Sequence, residues 1–229
     1  MTLFIKHNFF ILFMVSFIVA GCSSAPPMID LSPEADITYD GLHEVKNTSV
    51  SKAWAKPGAS LAGYSKIHLK GIGVAYREDV QDRNRRVHNS GKGYSLTAKN
   101  KADFKRVIRE AFLGELAESE HFTITEESGF DVLLVNVGLL DVVSYVPPER
   151  AGRNSIYLRE IGAATLVLEL RDSLTESIFL RVADRRAAEQ SGIIFESNRV
   201  TNVAEIRRLG KAWGRLVRMR LEERMNQTE

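Results

Sequence analysis

Two runs of alternating side chains, over Ile156–Arg171 and from Ile178 onward, constrain this chain more than any other feature. Ala164, Leu166, Leu168 and Leu170 interleave with Thr165, Val167, Glu169 and Arg171, and Ile178, Leu180 and Val182 begin a return run that interleaves with Arg181. A period of two buries one face of a sheet and leaves the other wet. The short polar turn between the runs, Asp172 to Ser177, joins them as a long antiparallel hairpin. Asp172 and Ser173 suit such a turn through their local backbone hydrogen bonds. Further on, the alternation sets Asp184 and Arg186 on one face and Arg185 on the other, which reads first as an intramolecular ion pair and second as a partner-binding patch.

The remaining pattern completes a sheet and two helices. Tyr64–Ala75 predicts a strand with Ile67 and Leu69 inward, and its phase slips at Gly71, the mark of a bulge. Asp131–Tyr145 contains Val132-Leu133-Leu134-Val135, apolar on both faces, which predicts a central strand covered on each side. Phe122 and Ile124 mark a short strand. From about Thr97 to Ser119 a helical stripe joins Phe104, Val107, Ile108, Ala111, Phe112 and Leu116, with Ser95 or Thr97 as its cap. A second stripe, about Asn202 to Arg224, joins Val203, Ile206, Leu209, Trp213, Leu216, Val217 and Leu221. The fold class expected is α+β, a mainly antiparallel sheet packed on two amphipathic helices in a single domain over residues 61–229. With 44% hydrophobic residues, a chain of 229 residues buries a sufficient core without disulfides.

Residues 1–21 follow the order of an export signal: a cationic start at Lys6, an apolar run from Phe9 to Ala20, and a cleavage motif. About a dozen apolar residues fall short of the roughly 20 needed to span a bilayer. Val19-Ala20-Gly21-Cys22 resembles the bacterial lipobox. That resemblance implies diacylglycerol on the Cys22 thiol, cleavage before it and acylation of its new amine, palmitate being a typical chain. Cys22 is the only cysteine, so no intramolecular disulfide forms, and an alkylated thiol does no catalysis. Ser23 in second place favours the periplasm-facing leaflet of the outer membrane if the host is Gram-negative, and the cell membrane otherwise. Residues 22–60 read as a lipid-anchored tether and lead-in, because Pro26, Pro27 and Pro33 favour extended chain. Within it, residues 42–54 suit either a short strand or a loop around Trp54.

Charge leaves two candidate partner surfaces. Arg83, Arg85 and Arg86 cluster in a polar loop, and Arg207, Arg208, Lys211, Arg215 and Arg218 line the outer face of the last helix. Either is a solvated surface or a contact for an anionic lipid surface, an acidic envelope polymer or another envelope protein. The formal charge of +2 includes Lys6 of the leader, so the mature domain lacks the basic excess of a nucleic-acid binder. Gly91-Lys92-Gly93 has neither the feeding strand nor the Ser/Thr ending of a phosphate loop. His7, His43, His68, His88 and His121 are scattered without metal-ligand spacing, and no nucleophile elbow or zinc-protease motif occurs. No cofactor, metal or catalytic residue is therefore expected.

With these elements in place, Tyr64–Leu69, the hairpin from Leu166 to Glu176 and the run Val182-Ala-Asp-Arg-Arg resemble bacterial lipoproteins of the domain-of-unknown-function 3313 family. More loosely, Asp131-Val132-Leu133-Leu134 after a helix and short strand is similar to the N-terminal domain of the TolB envelope protein and to curli-secretion lipoproteins. Those resemblances imply a non-catalytic binding or assembly module. The alternatives are a small-ligand carrier or an enzyme on envelope lipid or glycan with a pocket assembled in three dimensions, and a structural subunit of an oligomeric envelope complex.

Overall fold

The long hairpin is the spine of the fold. A computed structural model describes residues 25–78, 93–147, 155–189 and 193–226. In chain order the elements are β1 (Met28–Ile29), β2 (His43–Lys46), β3 (Lys52–Ala55), β4 (Lys66–Tyr76), α1 (Ala98–Leu116), β5 (Thr123–Ile124), β6 (Val132–Ser144), β7 (Tyr157–Leu158), β8 (Glu160–Asp172), β9 (Ile178–Glu189), β10 (Phe195–Glu196) and α2 (Arg199–Asn226). The expected hairpin is β8–β9, with Leu168 opposite Val182 and Leu170 opposite Leu180. Eight strands form one sheet in the order β1-β2-β3-β9-β8-β6-β4-β5, and β7 with β10 makes a separate ribbon. The fold is α+β, as the periodicity predicts.

Most pairings are antiparallel, but β4 runs parallel to both β5 and β6. A parallel pair needs a crossover, and α1 supplies it. The phase slip at Gly71 is a register shift against β6, between Leu69 and Gly71. The Thr97 hydroxyl caps α1 by accepting from the Asn100 amide at 3.2 Å. In α2 the Asn198 carboxamide accepts from the amides of Val200 and Thr201 at 2.9 and 3.1 Å. That cap starts the helix at Arg199, three residues earlier than its apolar stripe.

Both helices lie on one face of the sheet. The core joins Ile108, Phe112 and Leu116 of α1 and Leu209, Trp213 and Leu221 of α2 to Ile67, Leu69, Leu133, Val135, Leu166 and Leu168 beneath them. The expected two-sided cover of β6 is half right: the strand is central, but no helix among the described residues lies over its second face. Leu134 is nevertheless only 3% exposed there. It sits in register between His68 of β4 and Arg171 of β8, whose aliphatic and ring carbons can shield it.

That second face is held by charge. Arg181 reaches Asp40 at 2.6 Å and Glu169 at 2.7 Å, and Arg171 reaches Glu169 at 2.8 Å. Arg77 grips Asp141 with two bonds of 2.7 and 2.6 Å, and Arg185 joins at 2.8 Å. Asp141 sits at φ +51° beside a register shift in β6, a left-handed conformation that aspartate tolerates better than most residues.

Residues 28–55, expected as tether and lead-in, add β1, β2 and β3 to the sheet beyond β9. Trp54 lies in β3, half-buried. Prolines 26, 27 and 33 flank the two-residue β1 rather than interrupting it, so the sheet edge forms despite them.

Candidate functional site

The helix layer is too narrow for the sheet. Each strand adds about 4.8 Å of width and each helix covers roughly 10 Å. Two helices therefore cover about four of eight strands, and β1–β3 extend past the edge of α2. The uncovered strip is an apolar groove of about 360 Å³.

Three sets of residues build it. Its floor is the helix-facing row of the hairpin, Leu168 and Leu170 of β8 with Leu180 and Val182 of β9, continued by Ala53 and Ala55 of β3. One wall is the C-terminal half of α2, through Leu216, Val217 and Leu221. The opposite wall comes from Pro26, Pro27, Ile29, Val45 and Val50. Around the rim stand Lys56, Arg220, Glu223 and Arg224, three cations against one carboxylate. Arg220 spans the mouth, donating to the Ser49 hydroxyl at 3.0 Å while pairing with Glu223 at 2.6 Å. Thr48 also lines the groove, and its hydroxyl is spent on the Val50 carbonyl at 2.9 Å. The lining holds no histidine or cysteine, and the hydroxyl of its one serine, Ser49, accepts from Arg220.

Beneath α2, the sequence-expected ion pair forms: Arg186 donates to Asp184 at 2.6 Å. The same carboxylate accepts from the Trp213 indole at 3.1 Å and from Ser51 at 3.3 and 3.4 Å. Asp184 is 5% exposed and Trp213 fully buried. These bonds fix α2 over β9 and β3, which sets the height of the groove wall.

The basic row of α2 does not stand apart as expected. Glu115 of α1, 1% exposed, is approached by Lys211 at 3.7 Å, Arg215 at 3.3 Å and Arg218 at 3.8 Å. A carboxylate withdrawn from water demands such compensation. Arg218 also pairs with Glu118 and Glu222, both at 3.5 Å, and Arg208 pairs with Glu205. The row turns toward α1 because Gly210 and Gly214 let the helices touch. A Cβ on Gly214 would stand 2.9 Å from both the Phe112 carbonyl oxygen and Glu115 Cβ. Arg207 is exposed and lies outside this cluster. Cys22, Arg83, Arg85, Arg86 and Lys92 lie outside the described residues. The groove residues escape sequence reading because they come from five separate stretches of chain. Their one signal is Leu216 and Val217, apolar residues of the α2 stripe that stay only half-buried.

No family model matches the chain. No curated protein matches it either. Similar solved structures include a Xanthomonas campestris protein of the domain-of-unknown-function 330 family, 9% identical, covering 76% of this chain and 92% of that one with a TM-score of 0.41. A PelC dodecamer from Paraburkholderia phytofirmans is also 9% identical, covering 69% of this chain and 96% of that one with a TM-score of 0.31. No helix among the described residues is long and apolar enough to cross a membrane.

Proposed function

We propose that this chain is a non-catalytic binding protein of the bacterial envelope, tethered to a membrane by lipid on Cys22, and that the groove beside α2 is its binding site. One observation carries the reading: Pro26 and Pro27, four and five residues after Cys22, line an apolar groove of about 360 Å³. Four residues reach at most about 14 Å, so an anchored Cys22 holds the groove close to the membrane interface. The volume falls within the roughly 300–1,000 Å³ of small-molecule sites, and the apolar lining with a few polar rim groups has their composition. An envelope polymer of acidic character is the weaker partner, since Lys211, Arg215 and Arg218 spend their charge on Glu115.

The anchor and the groove are tested separately. Cys22→Ala is expected to shift the protein from the membrane fraction to the soluble envelope extract, and its persistence in the membrane contradicts the anchor. For the groove, the wild type is expected to bind 1-anilinonaphthalene-8-sulfonate at one saturable site, read by fluorescence. Val217→Trp fills the wall and should abolish that signal, with folding checked by circular dichroism. Undiminished dye binding by a folded Val217→Trp protein would contradict the site.

A further inference from the structure

We infer that the occupant of the groove is one acyl chain of an anionic phospholipid, with its phosphate held by the arginines of the rim. This deepens the binding role proposed above by naming the ligand class, and it rests on that assignment of the groove.

Shape comes first. The wall from Leu216 to Arg224 runs along the helix for about 12 Å at 1.5 Å per residue. A cavity of about 360 Å³ holds about a dozen water-sized groups at roughly 30 Å³ each. That suits a single hydrocarbon chain lying along α2. A partner helix roughly 10 Å across fills on the order of 900 Å³ over the same length of about 12 Å, far more than the groove holds. The floor is aliphatic, with Leu168, Leu170, Leu180 and Val182 in adjacent rows, and offers no hydrogen-bonding side chain to orient a polar ligand.

Charge then selects the headgroup. The cations stand only at the rim, where Arg220 and Arg224 occupy the last turns of α2 and Lys56 follows β3. Arg220 already holds one guanidinium nitrogen against Glu223 and another against Ser49. A phosphodiester can take the place of both Glu223 and Ser49 on that fork, because guanidinium matches phosphate with two parallel bonds. An apolar slot ending in a cationic rim has the amphipathic order of a phospholipid. A phosphocholine head carries its own cation and gains less from this rim.

The test uses the wild-type protein with vesicles of phosphatidylglycerol bearing a diazirine in the acyl chain, irradiated, digested and mapped by mass spectrometry. Adducts are expected on the peptides carrying Leu168, Val182 and Val217. The double variant Arg220→Glu, Arg224→Glu lies on the exposed rim, and it should reduce those adducts at least fivefold with phosphatidylglycerol but not with diazirine-labelled phosphatidylcholine. Val217→Trp should remove groove adducts with both lipids while labelling near residues 22–27 persists. The Cys22→Ala form should keep its groove adducts, so a failed anchor and an empty groove read out separately. Adducts confined to the N-terminal segment overturn the proposal. So does equal loss with both lipids in the charge-reversed variant. Groove adducts in Cys22→Ala but none in the lipidated wild type would assign the groove to the protein's own acyl groups, and would overturn it too.

Discussion

Asp172 shows how single residues tie the far strands together. At the β8–β9 turn it accepts from the Tyr64 hydroxyl at 2.7 Å and from the Thr175 amide at 2.7 Å. The Tyr64 bond first, then the Thr175 amide, lowers the Asp172 carboxyl from 3.8 to about 2. Burial, and then the bond to Asp172, raises the Tyr64 phenol from 10.0 to about 12. A carboxyl lowered on folding adds stability above its unfolded pKa and loses it as pH falls through the folded value. A phenol raised on folding adds stability below its unfolded pKa and loses it as pH rises through the folded value. Tyr64→Phe is therefore expected to lose less stability than the wild type between pH 4 and pH 2, measured as the shift in urea midpoint. An unchanged acid limb contradicts the pairing. The sequence announces Asp172 and Ser173 as turn residues, and it announces the Asp184–Arg186 pair through strand parity. It hides Glu115, because the apolar stripe of α1 gives no sign that a carboxylate shares it.

At the scale of elements, α1 and α2 approach through glycine. Gly214→Ala would push a methyl against the Phe112 carbonyl and the Glu115 side chain, where no flexible tip can yield. Overpacking of this kind costs about 1–3 kcal/mol. Gly114 of α1 is exposed, and a methyl there meets nothing within 4 Å. Gly114→Ala should instead stabilise by about 0.5–1 kcal/mol through helix propensity. Opposite shifts in chemical denaturation are the expected result, and equal shifts contradict the packing. The long strands and both helices are legible in the sequence because their periods persist over ten residues or more. The strands β1, β2, β3, β7 and β10 are two to four residues long, too short for a period to show. Their existence depends on pairing with distant strands, as β3 does with β9.

For the whole molecule, the mismatch between a wide sheet and a narrow helix layer creates the groove. That mismatch can be counted only after β1–β3 are placed in the sheet, so reading residues 22–60 as a tether conceals it. The basic face of α2, legible as a charge pattern, resolves mainly into an interhelix ion cluster. In the proposed binding role the working surface is the uncovered strip next to it, walled by α2 on one side and by the first described stretch of chain on the other. Hydrogen exchange with and without 1-myristoyl-lysophosphatidylglycerol, below its micellar concentration, tests this most directly. Slowed exchange is expected in residues 214–226 of α2 and in β3 and β9, with little change in α1 or β4. Protection centred on the helix-free face around Asp141 and Arg185, or none anywhere, would contradict it.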